Sequence, residues 1–165
     1  LVAEQLFASG CRLLLSITSA GQLAPLGISP YFVFIECALR DEGTSGHYRP
    51  AATWSRIHAS LDSLVARVLP NLAFPVHRGA SWTTDAPYRE TQSAIEAARA
   101  LGAVVVEMEA AALYAFSEAS GHHVLCFAHV TNQMAQQAGD FKKGEANGTD
   151  QVRALLSELA ARWEN

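Results

Sequence analysis

One pattern constrains this chain more than any other: an apolar strand that starts straight after a glycine closing a helix. It occurs three times, as ASGCRLLLSIT (8–18), ALGAVVVEME (100–109) and ASGHHVLCFAHV (119–130). Gly10, Gly102 and Gly121 suit the left-handed position that ends a helix. The strands after them are continuous apolar runs, as a sheet covered on both faces requires. YFVFIECAL (31–39) and FPVHRGAS (74–81) read as two more strands. Helices are expected near 53–69, 91–101 and 109–120, with Thr91 a fair N-cap for the second. A last helix, 150–163, carries Val152, Leu155, Leu156 and Leu159 as an i, i+3, i+4, i+7 stripe. Strands alternating with helices predict an open, mostly parallel α/β sheet. No fixed period of identity accompanies the repeats, so they are βα units and not a solenoid.

The length of 165 residues fits one domain spanning 1–165. Hydrophobic residues make up 50% and charged ones 17%, the balance of a globular core former. Net charge is −4 with no basic block, which argues against a nucleic-acid partner. The apolar runs fall far short of the roughly 20 residues that span a bilayer, which argues against a membrane partner. The start, LVAEQLFASG, has no basic n-region and no initiator Met, so it is not a signal peptide and is expected to begin inside a longer product. Cys11, Cys37 and Cys126 are odd in number, widely spaced and set in apolar segments, and read as buried free thiols in a reducing, cytoplasmic compartment. No metal site is expected: there is no CxxC, and the adjacent His122 and His123 would point to opposite faces of a strand.

Ligands of such sheets sit at the carboxyl ends of the strands. Here those ends are Thr18-Ser19-Ala20-Gly21, Arg40 to Ser45, Trp82 to Asp85, Glu107-Met108-Glu109 and Thr131-Asn132-Gln133. Loop by loop, polar residues there are ordinary. Together they suggest a polar cleft for a sugar-like or nucleoside-like ligand. Each end keeps two readings. Glu107 and Glu109 complement the positive end of a helix dipole, for roughly 0.3–1 kcal/mol, or offer paired acceptors to vicinal hydroxyls such as a ribose diol. The small residues of TSAGQ form a tight turn, or let backbone N–H groups approach an anion. Tyr88 and Arg89 lie in a surface loop, or stack on and pair with a base. Asn132 starts a turn, or grips a base through its amide. In RDEGTSGHYRP, His47 and Tyr48 face a cleft, or the loop is simply solvated with Arg40 pairing Asp41.

VEMEAAALYAF resembles the Glu-Met-Glu signature of the nucleoside phosphorylase superfamily, the purine nucleoside and uridine phosphorylases together with the related nucleosidases. RDEGTSGHYRP is similar to the Arg-x-Asp-Gly-x-Ser-x-His stretch of uridine phosphorylases. TTDAPYRE is similar to the family's base-site loop, with Pro87 where Phe is common. HVTNQMAQQ resembles their Val-x-Asn-x-x-x-Gln-Gln strand end. These matches run in order from about Ser16 to Gln137. The resemblance implies a mixed, mostly parallel central sheet flanked by helices on both faces. It also implies a chain that corresponds to the C-terminal two thirds of the family fold, with its N-terminal part missing.

The implied activity is that of a pentosyl-class glycosyltransferase. It cleaves the N-glycosidic bond of a purine or pyrimidine nucleoside with phosphate, giving free base and ribose 1-phosphate. Inorganic phosphate is the co-substrate, no cofactor is needed, and the assembly is a dimer-based homo-oligomer. The implied catalytic residues are Glu109 and Asn132. Met108 and Glu109 bind ribose. Glu107, Tyr88, Gly21 and Asn132 line the base, and Ser19 binds phosphate. Two departures keep alternatives open. Ser16 stands where phosphorylases carry an Arg, and Thr18-Ser19-Ala20-Gly21 resembles the Gly-Ser-Ala-Gly of nucleosidases, which use water. A nucleosidase, or a catalytically inactive nucleoside-binding homologue, are therefore the other readings.

Overall fold

The computed structural model describes residues 2–132 and 148–163. In chain order the elements are α1 (Val2–Ala8), β1 (Leu13–Gln22), β2 (Tyr31–Asp41), β3 (Trp54–Arg56), α2 (Asp62–Val68), β4 (Val76–Thr84), α3 (Gln92–Ala100), β5 (Ala103–Glu107), α4 (Ala110–Ser120), β6 (His123–Asn132) and α5 (Thr149–Trp163). The three repeat glycines carry the positive φ expected of them, 96°, 98° and 70° at Gly10, Gly102 and Gly121. A side chain there would be strained, and each glycine releases the chain from a helix into the next strand. Thr91 caps α3, its hydroxyl accepting from the Ala94 N–H.

One expected helix is corrected. Helical structure was expected from residue 53, but Trp54–Arg56 is a strand paired antiparallel to Cys37–Leu39 of β2. The helical stripe starts late because His58 has extended backbone (ψ 128°), its ring accepting from the Ser60 N–H. α2 then runs only from Asp62 until Pro70, whose ring cannot continue a helix, turns the chain into a 3-10 segment at Leu69–Asn71.

The open, mostly parallel sheet is also corrected. The strand order is β3-β2-β4-β5-β1-β6, and β6 pairs again with β2. The strands from β2 through β6 thus close into a barrel, with β3 appended outside the ring. β1–β6, β2–β4 and β4–β5 are parallel, whereas β1–β5, β2–β3 and β2–β6 are antiparallel. The physical reason is the connection after β1. Residues 23–30 hold no helix, and a parallel crossover needs a dozen or more residues. β2 therefore runs against β1 and β6, and the ring is mixed.

Three clusters fill the fold. The first joins Val33, Ile35, Val105, Cys126 and Val130 of the strands to Ala111, Tyr114 and Phe116 of α4 and to Phe7 of α1. The second sets Phe32, Phe34, Leu125 and Phe127 against α2 and α5. The third packs α3 on Trp82 and Val106. The seam between β2 and β6 ends at Phe34 opposite Phe127. Just beyond it, Tyr114 of α4 inserts its hydroxyl, which donates to the Ile35 carbonyl and accepts from the Cys126 N–H at 3.1 Å. The side chain thus supplies backbone partners where the strands part, and it anchors α4 to the sheet.

Candidate active site

The register of the ring gathers the expected site. Gly21 lies opposite Val106 of β5 on one side and Asn132 of β6 on the other. Glu107 lies opposite Thr83 of β4, and Thr83 opposite Arg40 of β2. Gly21, Glu107 and Asn132 therefore share one sector of the sheet, and Met108 and Glu109 follow directly from β5. Ser19, two residues before Gly21, is exposed and lies opposite His129.

The two glutamates have different environments. Glu107 is 3% exposed. Its Oε1 accepts from the Thr83 hydroxyl at 2.5 Å. Its Oε2 accepts from the N–H groups of Glu109 and Ala110, both at 2.7 Å. Thr83 Oγ1 in turn accepts from the Ala111 N–H at 3.0 Å. Burial pushes the Glu107 carboxyl above its usual 4.5, while the bonds from Thr83, Ala110 and Glu109 pull the other way. Glu107 thus serves the opening turn of α4, and both of its oxygens are taken by hydrogen bonds. Glu109 is exposed, and its side chain has no hydrogen bond or ion pair among the described residues. Met108 beside it is 46% exposed, unusual for a large apolar side chain at the end of a buried strand. A free carboxylate next to an apolar surface is suited to a ligand with hydroxyls on one edge and a hydrophobic face.

The other candidates fall around this sector. Tyr88 sits in the 3-10 turn Pro87–Arg89 after β4 and is 100% exposed, so it packs on none of the other candidates. Asn132 ends β6, but its side chain lies outside the described residues, as does the whole of residues 133–137. The Arg40–Asp41 pairing is corrected. Arg40 donates to Ser45 Oγ at 2.7 Å, to the Pro50 carbonyl at 2.7 Å and to the Arg49 carbonyl at 3.1 Å. Asp41 accepts instead from the Trp82 indole N–H at 2.9 Å. Tyr48 donates to Glu4 of α1 at 2.9 Å and packs edge-on against Phe116, so it ties the loop to two helices. His47 is exposed.

A cleft of about 480 Å³ opens between the 49–59 segment and the far end of α4, lined by Arg40, Arg49, Arg56 and Glu118 among others. It is not the better candidate. Arg40 is committed to its loop and Arg49 pairs with Glu118 at 2.8 Å, whereas the Glu109 carboxylate is uncommitted. Among the described residues no three His, Cys, Asp or Glu side chains gather as a metal site, and no helix is long and apolar enough to cross a membrane. Cys11, Cys37 and Cys126 are free thiols, but only Cys126 is buried as expected; Cys11 and Cys37 are half-buried.

Thr83 is the residue that sequence reasoning missed. Its signal was the Thr83-Thr84 pair at a strand end, a hydroxyl able to donate and accept at once. Comparison with family models matches residues 1–161 to the phosphorylase superfamily. The span of that match does not bear out the expected correspondence to the C-terminal two thirds of the fold. A comparison with curated proteins finds no match.

Proposed function

Because the chain belongs to the phosphorylase superfamily, we propose that it cleaves the N-glycosidic bond of a purine or pyrimidine nucleoside with phosphate. The observation that carries this reading is the contrast between the glutamates: Glu107 is buried and consumed, while Glu109 is exposed and uncommitted beside Met108. In the proposed reaction Glu109 accepts from the ribose 2′- and 3′-hydroxyls, and Met108 covers the sugar. Phosphate oxygen attacks C1′ as the bond to the base breaks. The base nitrogen takes the bonding pair and then a proton, leaving free base and ribose 1-phosphate. Positive charge that develops on the sugar ring is stabilised by the nearby carboxylate. Asn132 holds the base and Gly21 and Tyr88 border it, while Ser19 binds phosphate. Phosphate is the co-substrate, and the protein works as a cytoplasmic homo-oligomer without a cofactor.

A second reading has a specific support. Ser16, in the middle of β1, replaces the cation that phosphorylases use on phosphate, and a dianion binds more weakly without it. Water would then be the nucleophile. Inosine, uridine and methylthioadenosine, each with and without phosphate, separate the two. Ribose 1-phosphate formed only with phosphate supports phosphorolysis; base release indifferent to phosphate supports hydrolysis. Glu109→Gln is expected to lower kcat/KM at least a hundredfold with the melting temperature nearly unchanged. Normal turnover by that variant would remove the ribose assignment.

A further inference from the structure

The residue at the N-cap of a helix ordinarily turns its own side chain back to accept the opening N–H groups. Glu109 holds that position in α4 and makes no such bond. The work is done from two other places. Glu107 Oε2 accepts from Glu109 N–H and Ala110 N–H, and Thr83 Oγ1 accepts from Ala111 N–H. Thr83 also donates to Glu107 Oε1, so the two side chains form one unit across β4 and β5. The Glu109 carbonyl is held as well, by the Leu113 N–H at 3.0 Å. Both backbone polar groups of Glu109 are therefore pinned, at a φ of −126° and ψ of −35° that belongs to neither strand nor helix.

We infer that Thr83 and Glu107 are positioning residues: they relieve Glu109 of capping α4 and fix its backbone so that its carboxylate is presented to the ligand. This rests on the ribose role proposed for Glu109. It assigns a function to Thr83 and replaces base contact as the role of Glu107. A fixed backbone spares a ligand part of the cost of ordering the carboxylate. Loss of the Thr83 hydroxyl loosens the opening turn while leaving Glu109 itself intact.

The test compares Thr83→Val, Thr83→Ser, Glu107→Gln and Glu109→Gln with the unsubstituted protein. Calorimetry measures affinity for inosine and uridine and, in parallel, for hypoxanthine and uracil. Thr83→Val is expected to lose about tenfold or more in nucleoside affinity with free-base affinity unchanged. Thr83→Ser is expected to restore nucleoside affinity to within about twofold. A merely structural role would weaken base and nucleoside together, and that result overturns the inference, as does wild-type nucleoside binding by Thr83→Val. Should Thr83→Val fail to fold, Glu107→Gln, which preserves shape, carries the same expectation of a selective loss. If Glu109→Gln binds nucleosides as the unsubstituted protein does, the ribose reading itself falls and the inference with it. Loss in Glu109→Gln with none in the Thr83 and Glu107 variants overturns the positioning role alone.

Discussion

At the residue scale, Glu107 shows how a carboxylate can be held in an apolar seam. An isolated buried charge is very costly, but here the carboxylate accepts three hydrogen bonds, two of them from helix-opening N–H groups. Glu107→Ala leaves those N–H groups without partners in a buried site and should cost about 2–3 kcal/mol in urea unfolding. Glu107→Gln keeps the shape and an acceptor, and should cost clearly less. Its effect on pH dependence separates charge from shape. The folded-state value of Glu107 lies above 4.5, so the folded protein holds this proton more tightly than the unfolded chain. Its contribution is complete below about pH 4.5 and is lost as pH rises through the folded value. The melting temperature of the unsubstituted protein should therefore fall relative to Glu107→Gln as pH climbs out of that region; parallel profiles would mean that Glu107 holds its proton equally in the folded and the unfolded chain. The sequence showed two acids separated by one residue and left both dipole and ligand readings open. Nothing local could divide the roles, because the dividing partner, Thr83, comes from 24 residues away.

At the element scale, α4 is held by both its start and its middle. Its start is tied to β4 and β5 through Thr83 and Glu107; its middle is tied to β2 and β6 through Tyr114. The Tyr114 hydroxyl is fully buried, and burial pushes its ionisation well above the usual 10. Tyr114→Phe keeps the ring but leaves the Ile35 carbonyl and the Cys126 N–H unsatisfied, and should cost about 2 kcal/mol with the urea slope unchanged. Thr91→Ala at the exposed start of α3 loses the 3.3 Å bond from the Ala94 N–H and a solvent-exposed 3.1 Å bond with Ser93 Oγ, and should cost under half as much. A larger loss at Thr91 than at Tyr114 would contradict this ranking. The start of α3, the Gly121 end of α4 and the apolar strands were legible because each rests on residues adjacent in sequence. The false helix start at 53 was not, because Trp54–Arg56 gains its partners from β2, where tertiary pairing outweighs local periodicity.

At the scale of the whole molecule, strand order decides which residues meet. The repeating glycine-strand units correctly announced alternating strands and helices, yet they did not announce that β1 lies between β5 and β6, the order that sets Gly21 against the ends of both. Closure depends on register between distant strands, and the short stretch 23–30 was the sole local hint that β2 reverses. Closure also has an energetic consequence. The seam residues 31–34 and 127–130 join two parts of the ring, so their amides cannot open without parting packed cores on both sides. Among the described residues β3 pairs only with β2 and stands outside the ring, so its outer edge has no second strand to hold it. Native-state hydrogen exchange should therefore give the hydrogen-bonded seam amides an opening free energy equal to that of global unfolding, and those pairing β3 to β2 a lower one. If the seam amides exchange as readily as those of β3, the ring is not a closed unit. The pairings of β1 with β5 and β6 that gather Gly21, Glu107 and Asn132 would still stand, because neither of them crosses the seam.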